Sequence, residues 1–437
     1  MLNFIRKAIG ERHPLRLFYH KIQAIFAALF FNFPSHKLKI IAVTGTSGKS
    51  TTVNLIHYLI QNAGRKCGAI SGINFRIGEK EIFNETLRTT LRPWQTQKLL
   101  RQMVREGCEF CVIEVSSHAI DQNRIWGVTI DTAVLTNVSD NEHLDYHQNI
   151  AEYIRTKAKI FQALNLSYRK PNVPKVSVLN LDDENYDIYE DFPADRKWSF
   201  STKKSADAMV SNVKLGAKKS KFNLKLPNHN FEITTSLLGL HNISNLLAAI
   251  SAVSANGIPV INLEKLMEDF PGIPGRLTPV NEGQAFSVVV DFSYKPSALK
   301  AVLETLRGMI QGRIIIVFGG TGSRTRENLE ECGKIINLHA DEVVLTTDDP
   351  NNDDPKQIAS FLKKGIGRKE GDSFFEIEDR YEAIRYALYI AEPNDCVLIA
   401  GRGHEIIQTI GNQKIPFDDK AVAQEILQFA KKENLLE

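Results

Sequence analysis

The chain has 437 residues, and at roughly 150 residues per domain that length implies two or three domains. Its 43% hydrophobic and 24% charged residues exclude a disordered or fibrous protein. Fifty-four Lys plus Arg against 51 Asp plus Glu leave a net charge of +3, too little for a surface that tracks a nucleic-acid backbone.

Residues 1–37 form an N-terminal apolar segment. Its uncharged run IQAIFAALFFNF is too short to span a bilayer and has no small-residue cleavage site of a secretory signal. The expectation is a helix packed on the body of the protein, with weak membrane-surface contact as a second use. The stretches 38–43, 111–115, 131–136 and 176–180 are near-continuously apolar, as buried parallel strands are. Cys108 and Cys111 have zinc spacing but run straight into a strand with no second Cys or His pair nearby, and the five scattered cysteines fit a reducing cytoplasm. Residues 203–236 switch to an alternating pattern that predicts an antiparallel patch, and a helix follows His241. Three Pro and two Gly within 269–280 mark a linker. Apolar runs at 286–291, 313–318, 341–346 and 395–400 then predict a second α/β domain. The fold class is therefore α/β: a P-loop central domain over 38–272 and a Rossmann-like C-terminal domain over 273–437, with the active site in the cleft between them.

The first of these strands runs into Gly45-Thr46-Ser47-Gly48-Lys49-Ser50-Thr51 and then a helical pattern. Backbone N–H groups of such a loop cradle phosphates, Lys49 neutralises the terminal phosphates, and Ser50 can ligate Mg²⁺. The next strand end presents Glu114, Ser116 and Ser117, and the following one leads through Asn137 to His143. Both lie at the carboxyl edge of the sheet, where open α/β sheets bind ligands. On the helix 151–164, Lys157 falls on the apolar stripe of Ile150, Tyr153, Ile154, Phe161 and Leu164, whereas Arg155 and Lys159 do not. Burial favours the uncharged amine, the form able to react with CO₂.

Six motifs in unbroken order over residues 38–437 carry a resemblance: GTSGKSTT, EVSSHAIDQNR, TNVSDNEHLDYH, LGLHNISN, PGR and GRGHE. With them the chain resembles the Mur ligases, most closely the tripeptide-synthetase (MurE) type. The resemblance implies an ATP-dependent, ADP-forming acid–amino-acid ligase of peptidoglycan synthesis, working through an acyl phosphate. It implies that Lys49 holds the β and γ phosphates, that Ser50 and Glu114 ligate one Mg²⁺, and that His143 and a carbamylated Lys157 serve a second. Thr89, Thr90, Ser116, Gln122 and Arg124 match positions that hold a muramoyl-dipeptide. Asn245 would face adenine, Asp291 the ribose and Arg276 the γ-phosphate, while Gly401 and Glu405 match the pocket for the incoming amino acid. The implied partners are small molecules, and the expected state is a cytoplasmic monomer.

The sequence also departs from this family. Full-length relatives begin with a separate uridine-binding domain, and here the 37-residue segment precedes the first strand. Where members that add meso-diaminopimelate carry Asp-Asn-Pro-Arg, this chain has Asp348-Asp349-Pro350-Asn351. Asn351 brings no cation and Asp349 adds a carboxylate, so L-lysine is expected over diaminopimelate, with Arg324 or Arg326 as the residues able to reverse that balance. A folylpolyglutamate-synthase-like ligase, a P-loop kinase and a non-catalytic ATP-binding relative are the alternatives.

Overall fold

A computed structural model describes residues 12–84, 86, 88–139, 146–216, 218–322 and 324–433. They divide into two compact units, one of Met1–Asn212, Phe222–Ile233 and His241–Leu266, the other of Val213–Lys221, Thr234–Leu240 and Met267–Glu437. Among the described residues the larger sheet has eleven strands. From one edge their order is His229–Thr235, Ser220–Leu226, Ala208–Lys214, Arg196–Ser201, Val176–Asn180, Thr132–Leu135, Lys39–Thr44, Phe110–Glu114, Cys67–Ile70, Asn74–Ile77 and Lys80–Phe83.

The P-loop strand Lys39–Thr44 is central and pairs in parallel with Phe110–Glu114 on one side and Thr132–Leu135 on the other. These strands are buried on both faces, which is why their sequences do not alternate. Ile40, Ala42, Ile113 and Leu135 share one core cluster with Phe161 and Leu164 of helix Ile150–Leu166. Three adjacent strands therefore deliver their carboxyl ends to one edge. Ser220–Leu226 alternates buried and exposed residue by residue, as the sequence pattern requires.

The second sheet has the order Thr278–Val280, Ser287–Asp291, Cys396–Ala400, Ile314–Phe318, Glu342–Leu345 and Phe374–Glu376. Only the short first strand is antiparallel to its neighbour. That strand lies at the end of the Pro/Gly-rich stretch expected to be a linker. Helix Pro14–Phe30 opens with Pro14 and the ring of His13 accepting from the Leu15 amide at 3.3 Å. Just before it, Arg12 Nη1 donates to Glu152 at 2.8 Å and Arg12 Nε to Asp121 at 3.2 Å, so the start of the described chain is clamped to helix Ile150–Leu166. No helix among the described residues is long and apolar enough to cross a membrane.

Candidate active site

The phosphate loop is shaped by two glycines at positive φ, Gly45 at 154° and Gly48 at 79°. A Cβ on Gly45 would stand 1.9 Å from Thr136 Oγ1, and one on Gly48 would stand 2.0 Å from Asn245 Oδ1. Neither position has room for a side chain, so the backbone itself lines the loop. The neighbouring strand end latches it: the Ser47 amide donates to Asn137 Oδ1 at 3.0 Å, and Thr136 Oγ1 donates to Ser47 O at 2.7 Å. Lys49 Nζ donates to the carbonyls of Gly45 and Thr46 at 2.9 and 2.8 Å. The helix Lys49–Asn62 begins here with Ser50 and Thr51 buried in its first turn, its positive pole towards the loop.

Ser50 Oγ donates to Glu114 Oε2 at 2.7 Å, and the Gly72 amide donates to the same oxygen at 2.7 Å. Both side chains are buried. Paired hard oxygens beside a phosphate loop suit Mg²⁺. Lys157 is 1% exposed, donates to Gly45 O at 2.7 Å and lies 4.5 Å from the centre of the Tyr153 ring. Tyr153 OH is in turn 3.0 Å from Thr46 Oγ1. Lys159, two residues on, points outward to Asp121 at 3.7 Å and is half exposed. His143 lies outside the described residues, and among those described no three His, Cys, Asp or Glu side chains are gathered for a metal.

The residues expected at the acceptor meet next to this pair. Thr90 Oγ1 accepts from the Ser116 amide at 2.9 Å and donates to Glu114 O at 3.1 Å, while Arg124 reaches Thr90 O at 3.3 Å and Gln122 Oε1 at 2.9 Å. Thr89 sits beside Gly72, whose added Cβ would be 3.7 Å from its Cα. Three residues given no role in the sequence reading, His118, Tyr146 and His147, back this wall. His147 Nε2 is 3.0 Å from Ser117 Oγ, and the His118 and Tyr146 rings are 4.0 Å apart. Burial, with His118 next to it, lowers the His147 pKa to about 4, so the ring is neutral at physiological pH.

In the second unit, Arg276 lies 5.2 Å from the centre of the Phe292 ring, and its buried Nε has no hydrogen-bond partner among the described residues. The carboxylate of Asp291 accepts from the Leu277 amide at 2.7 Å; burial raises its pKa against the opposing pull of Arg276. Gly275 packs so closely on the Gly403–His404 backbone that a Cβ would stand 2.2 Å from the His404 amide nitrogen. Burial, reinforced by Arg276, depresses the His404 pKa to about 3.

The residues expected around the amino acid also come together. A Cβ on Gly401 would meet Asp348 Oδ2 at 2.4 Å, and Asn351 Nδ2 donates back to Asp349 O at 3.0 Å. The charge balance differs from the sequence expectation at Asp349. Its Oδ1 accepts from Arg402 Nη1 at 2.7 Å and from the Thr409 amide at 2.7 Å. Arg402 is fully buried and 3.6 Å from Asp348. Burial raises Asp348 to about 7, and burial together with Asp349 and Asp348 raises Glu405 to about 8. Neither arginine proposed as a substitute cation enters this cluster: Arg324 lies over the Tyr294 ring at 4.6 Å, and Arg326 pairs with Glu330 at 2.7 Å. Arg402 itself stood unassigned inside the GRGHE motif; the signal for it was an arginine between two glycines at the end of an apolar strand.

Two family models match in order: the Mur ligase middle domain over residues 43–253 and the Mur ligase glutamate ligase domain over residues 275–403. A relative from Geobacillus thermodenitrificans, named UDP-N-acetylmuramoyl-L-alanyl-D-glutamate–2,6-diaminopimelate ligase, is 37% identical over 92% of this chain and 82% of its own length. A Listeria innocua protein of the same name is 36% identical over 92% of this chain and 81% of its own. A solved structure of a ligase so named superposes with a TM-score of 0.65 at 33% identity, covering 90% of this chain and 79% of that one. Mycobacterium tuberculosis folylpolyglutamate synthase, solved with ADP, shares the fold at a TM-score of 0.67 and 16% identity, over 87% of this chain and 91% of its own. With a phosphate loop, a hydroxyl–carboxylate pair beneath it and both family domains in sequence, the chain belongs to the Mur ligase family of ATP-dependent enzymes that form amide bonds.

Proposed function

We propose that the chain joins an amino acid, L-lysine in preference to meso-diaminopimelate, to the free carboxylate of a UDP-N-acetylmuramoyl-dipeptide-like acceptor, in cytoplasmic peptidoglycan precursor synthesis. The observation that carries the acceptor class is the direct run from the Ser50–Glu114 pair to Thr90, Ser116, Gln122 and Arg124 on one sheet edge. An acceptor carboxylate held by Arg124 and the Thr90/Ser116 hydroxyls stands beside the phosphate loop. Its oxygen attacks the γ-phosphorus, the bond to the β-phosphate oxygen breaks, and ADP leaves. The amine then attacks the acyl carbon, phosphate departs with the acyl oxygen, and the amine loses a proton. Lys49 and the loop amides neutralise charge on the phosphates throughout. The oxygen donors Ser50 and Glu114 fit Mg²⁺, which when bound offsets the repulsion between nucleotide and carboxylate.

For Lys157 we propose a carbamate that, with His143, would hold a second cation. Its support is the burial of Lys157 on the phosphate-loop side of its helix. Incubation with isotopically labelled bicarbonate should give a carbamate carbonyl signal that Lys157→Ala lacks.

The lysine preference rests on Asn351 in place of a cation and on the carboxyls Asp348, Asp349 and Glu405, which outnumber the guanidinium of Arg402; Arg380, the other guanidinium acting on Asp348, is itself paired with Asp419 at 2.7 Å. A distal ammonium gains from that balance, and a distal carboxylate has no partner in it. The relatives are named for 2,6-diaminopimelate, so the deciding experiment supplies both amino acids at equal concentration with a muramoyl-dipeptide acceptor and reads the product mass. A diaminopimelate product overturns the lysine assignment and keeps the ligase. ATP binding without amino-acid-dependent phosphate release overturns catalysis itself, and phosphate transferred stably to the acceptor indicates a kinase.

A further inference from the structure

Helix Pro14–Phe30 is mounted with its small side inward. Ala24, Ala27 and Ala28 are fully buried, and Ala28 lies so close to the turn at Gly127 (φ 78°) that a Cβ there would stand 2.6 Å away. The bulky residues take the opposite side: Leu15, Phe18, Phe26, Leu29 and Phe30 are each more than half exposed, Phe30 at 72%. At 100° per residue they fall within an arc of about 120°. Trp94, 42% exposed at the start of helix Pro93–Arg105, extends the patch, its ring centre 5.2 Å from that of Phe30. A surface helix ordinarily buries its large apolar residues and exposes polar ones, so this arrangement leaves a contiguous aromatic surface with no protein cover among the described residues.

Charge selects the occupant. Neither helix contains an Asp or Glu, while Lys21 and Lys98 are exposed and Arg16 flanks the other edge of the arc. A second copy docked face to face would set cation against cation with no acid to answer. A zwitterionic surface would leave the lysines without partners. With 17 residues the helix is about 26 Å long, shorter than a bilayer core of about 30 Å, so it suits the plane of an interface. We propose that this face seats the protein on an anionic lipid surface, with Phe18, Phe26 and Leu29 in the headgroup–acyl boundary and Lys21 and Lys98 at the headgroups. The proposal is independent of the ligase reading, because none of these residues lies in the active-site walls.

The test is sedimentation of the full chain with phosphatidylcholine vesicles, with and without about one-third phosphatidylglycerol, at low and high salt. Binding is expected to the anionic vesicles alone and to weaken with salt. Phe18→Ser/Phe26→Ser/Leu29→Ser should lower it at least tenfold while leaving phosphate release and melting temperature unchanged. Lys21→Glu/Lys98→Glu, which alters no apolar contact, should reduce it several-fold. Absence of wild-type binding, equal binding by either variant, or a wild-type dimer in light scattering that the triple variant turns into a monomer would overturn the proposal.

Discussion

Arg402 is the cation on which three carboxyls converge, and replacing it with methionine is the sharpest test of the second-unit cluster. The side chain is fully buried, with Nη1 2.7 Å from Asp349 and Nη2 3.3 Å from the Phe417 carbonyl. Without it Asp349 must stay charged in a buried site or take up a proton. For an ordinary aspartate the second option costs about 1.4 kcal/mol per pH unit above about 3.9, hence about 3 kcal/mol at pH 6 and about 4 at pH 7. Breaking a buried pair costs about 3–5 kcal/mol by experience, the same range. Arg402→Met should therefore lose about 4 kcal/mol in urea unfolding at pH 7, and less at pH 6. Adding Asp349→Asn should recover at least about 2 kcal/mol, because the stranded charge is then gone. A loss below about 1 kcal/mol, a loss independent of pH, or no recovery in the double variant would refute the account.

Gly48→Ala forces a β-carbon to 2.0 Å from Asn245 Oδ1 at a φ of 79°. It should weaken ATP binding at least tenfold in a fluorescent-nucleotide titration, and unchanged affinity would place the loop elsewhere. Lys157→Ala should lose most turnover and regain part of it with added short-chain carboxylic acids, whereas Lys159→Ala, half exposed, should be near neutral in the same assay. Full turnover in Lys157→Ala would end the carbamate reading. For Glu405, the folded pKa of about 8 lies above the ordinary 4.5. Its protonated form therefore stabilises the fold at low pH, and that contribution is lost as pH rises through about 8. Glu405→Gln should flatten the decline in stability between pH 6.5 and 8 by up to about 1.4 kcal/mol per unit; parallel curves would contradict the shift. His147 runs the other way: its neutral ring contributes stability that is lost as pH falls from 6.5 towards 4.

The central strands were legible because parallel strands buried on both faces leave unbroken apolar runs, as IIAV, FCVI and IIIVF do. Lys157 was legible because helical periodicity placed it on the stripe that buries Phe161 and Leu164. The strand Arg196–Ser201 was not, since its first two residues are exposed and only its last two are buried, so no apolar run announces it. Thr278–Val280 was hidden by its proline and by its length of three residues. For the first helix the sequence implied packing on the body of the protein but not which side faces inward; periodicity finds two faces, and alanine opposite Gly127 permits the closer approach.

The amino-acid pocket shows where adjacency in sequence misleads. Asp349 beside Asp348 read as accumulated negative charge, yet its partner Arg402 stands 53 residues further on. The strands Glu342–Leu345 and Cys396–Ala400 both flank Ile314–Phe318 and end at the same edge of the sheet, which is what brings the pair together. The correction changes the selectivity argument without reversing it. Asp349 no longer repels a distal carboxylate by itself; the excess now resides in Asp348 and Glu405, both held near neutral pH values where a substrate can shift them. A lysine ammonium would draw one of the two into its charged form, so lysine affinity should rise between pH 6 and 8 as that proton is lost. A diaminopimelate carboxylate would do the opposite and bind better at the lower pH. The direction of that pH dependence, measured as KM for the amino acid, therefore reports the charge the pocket was built to receive, and Asn351→Arg should reverse it.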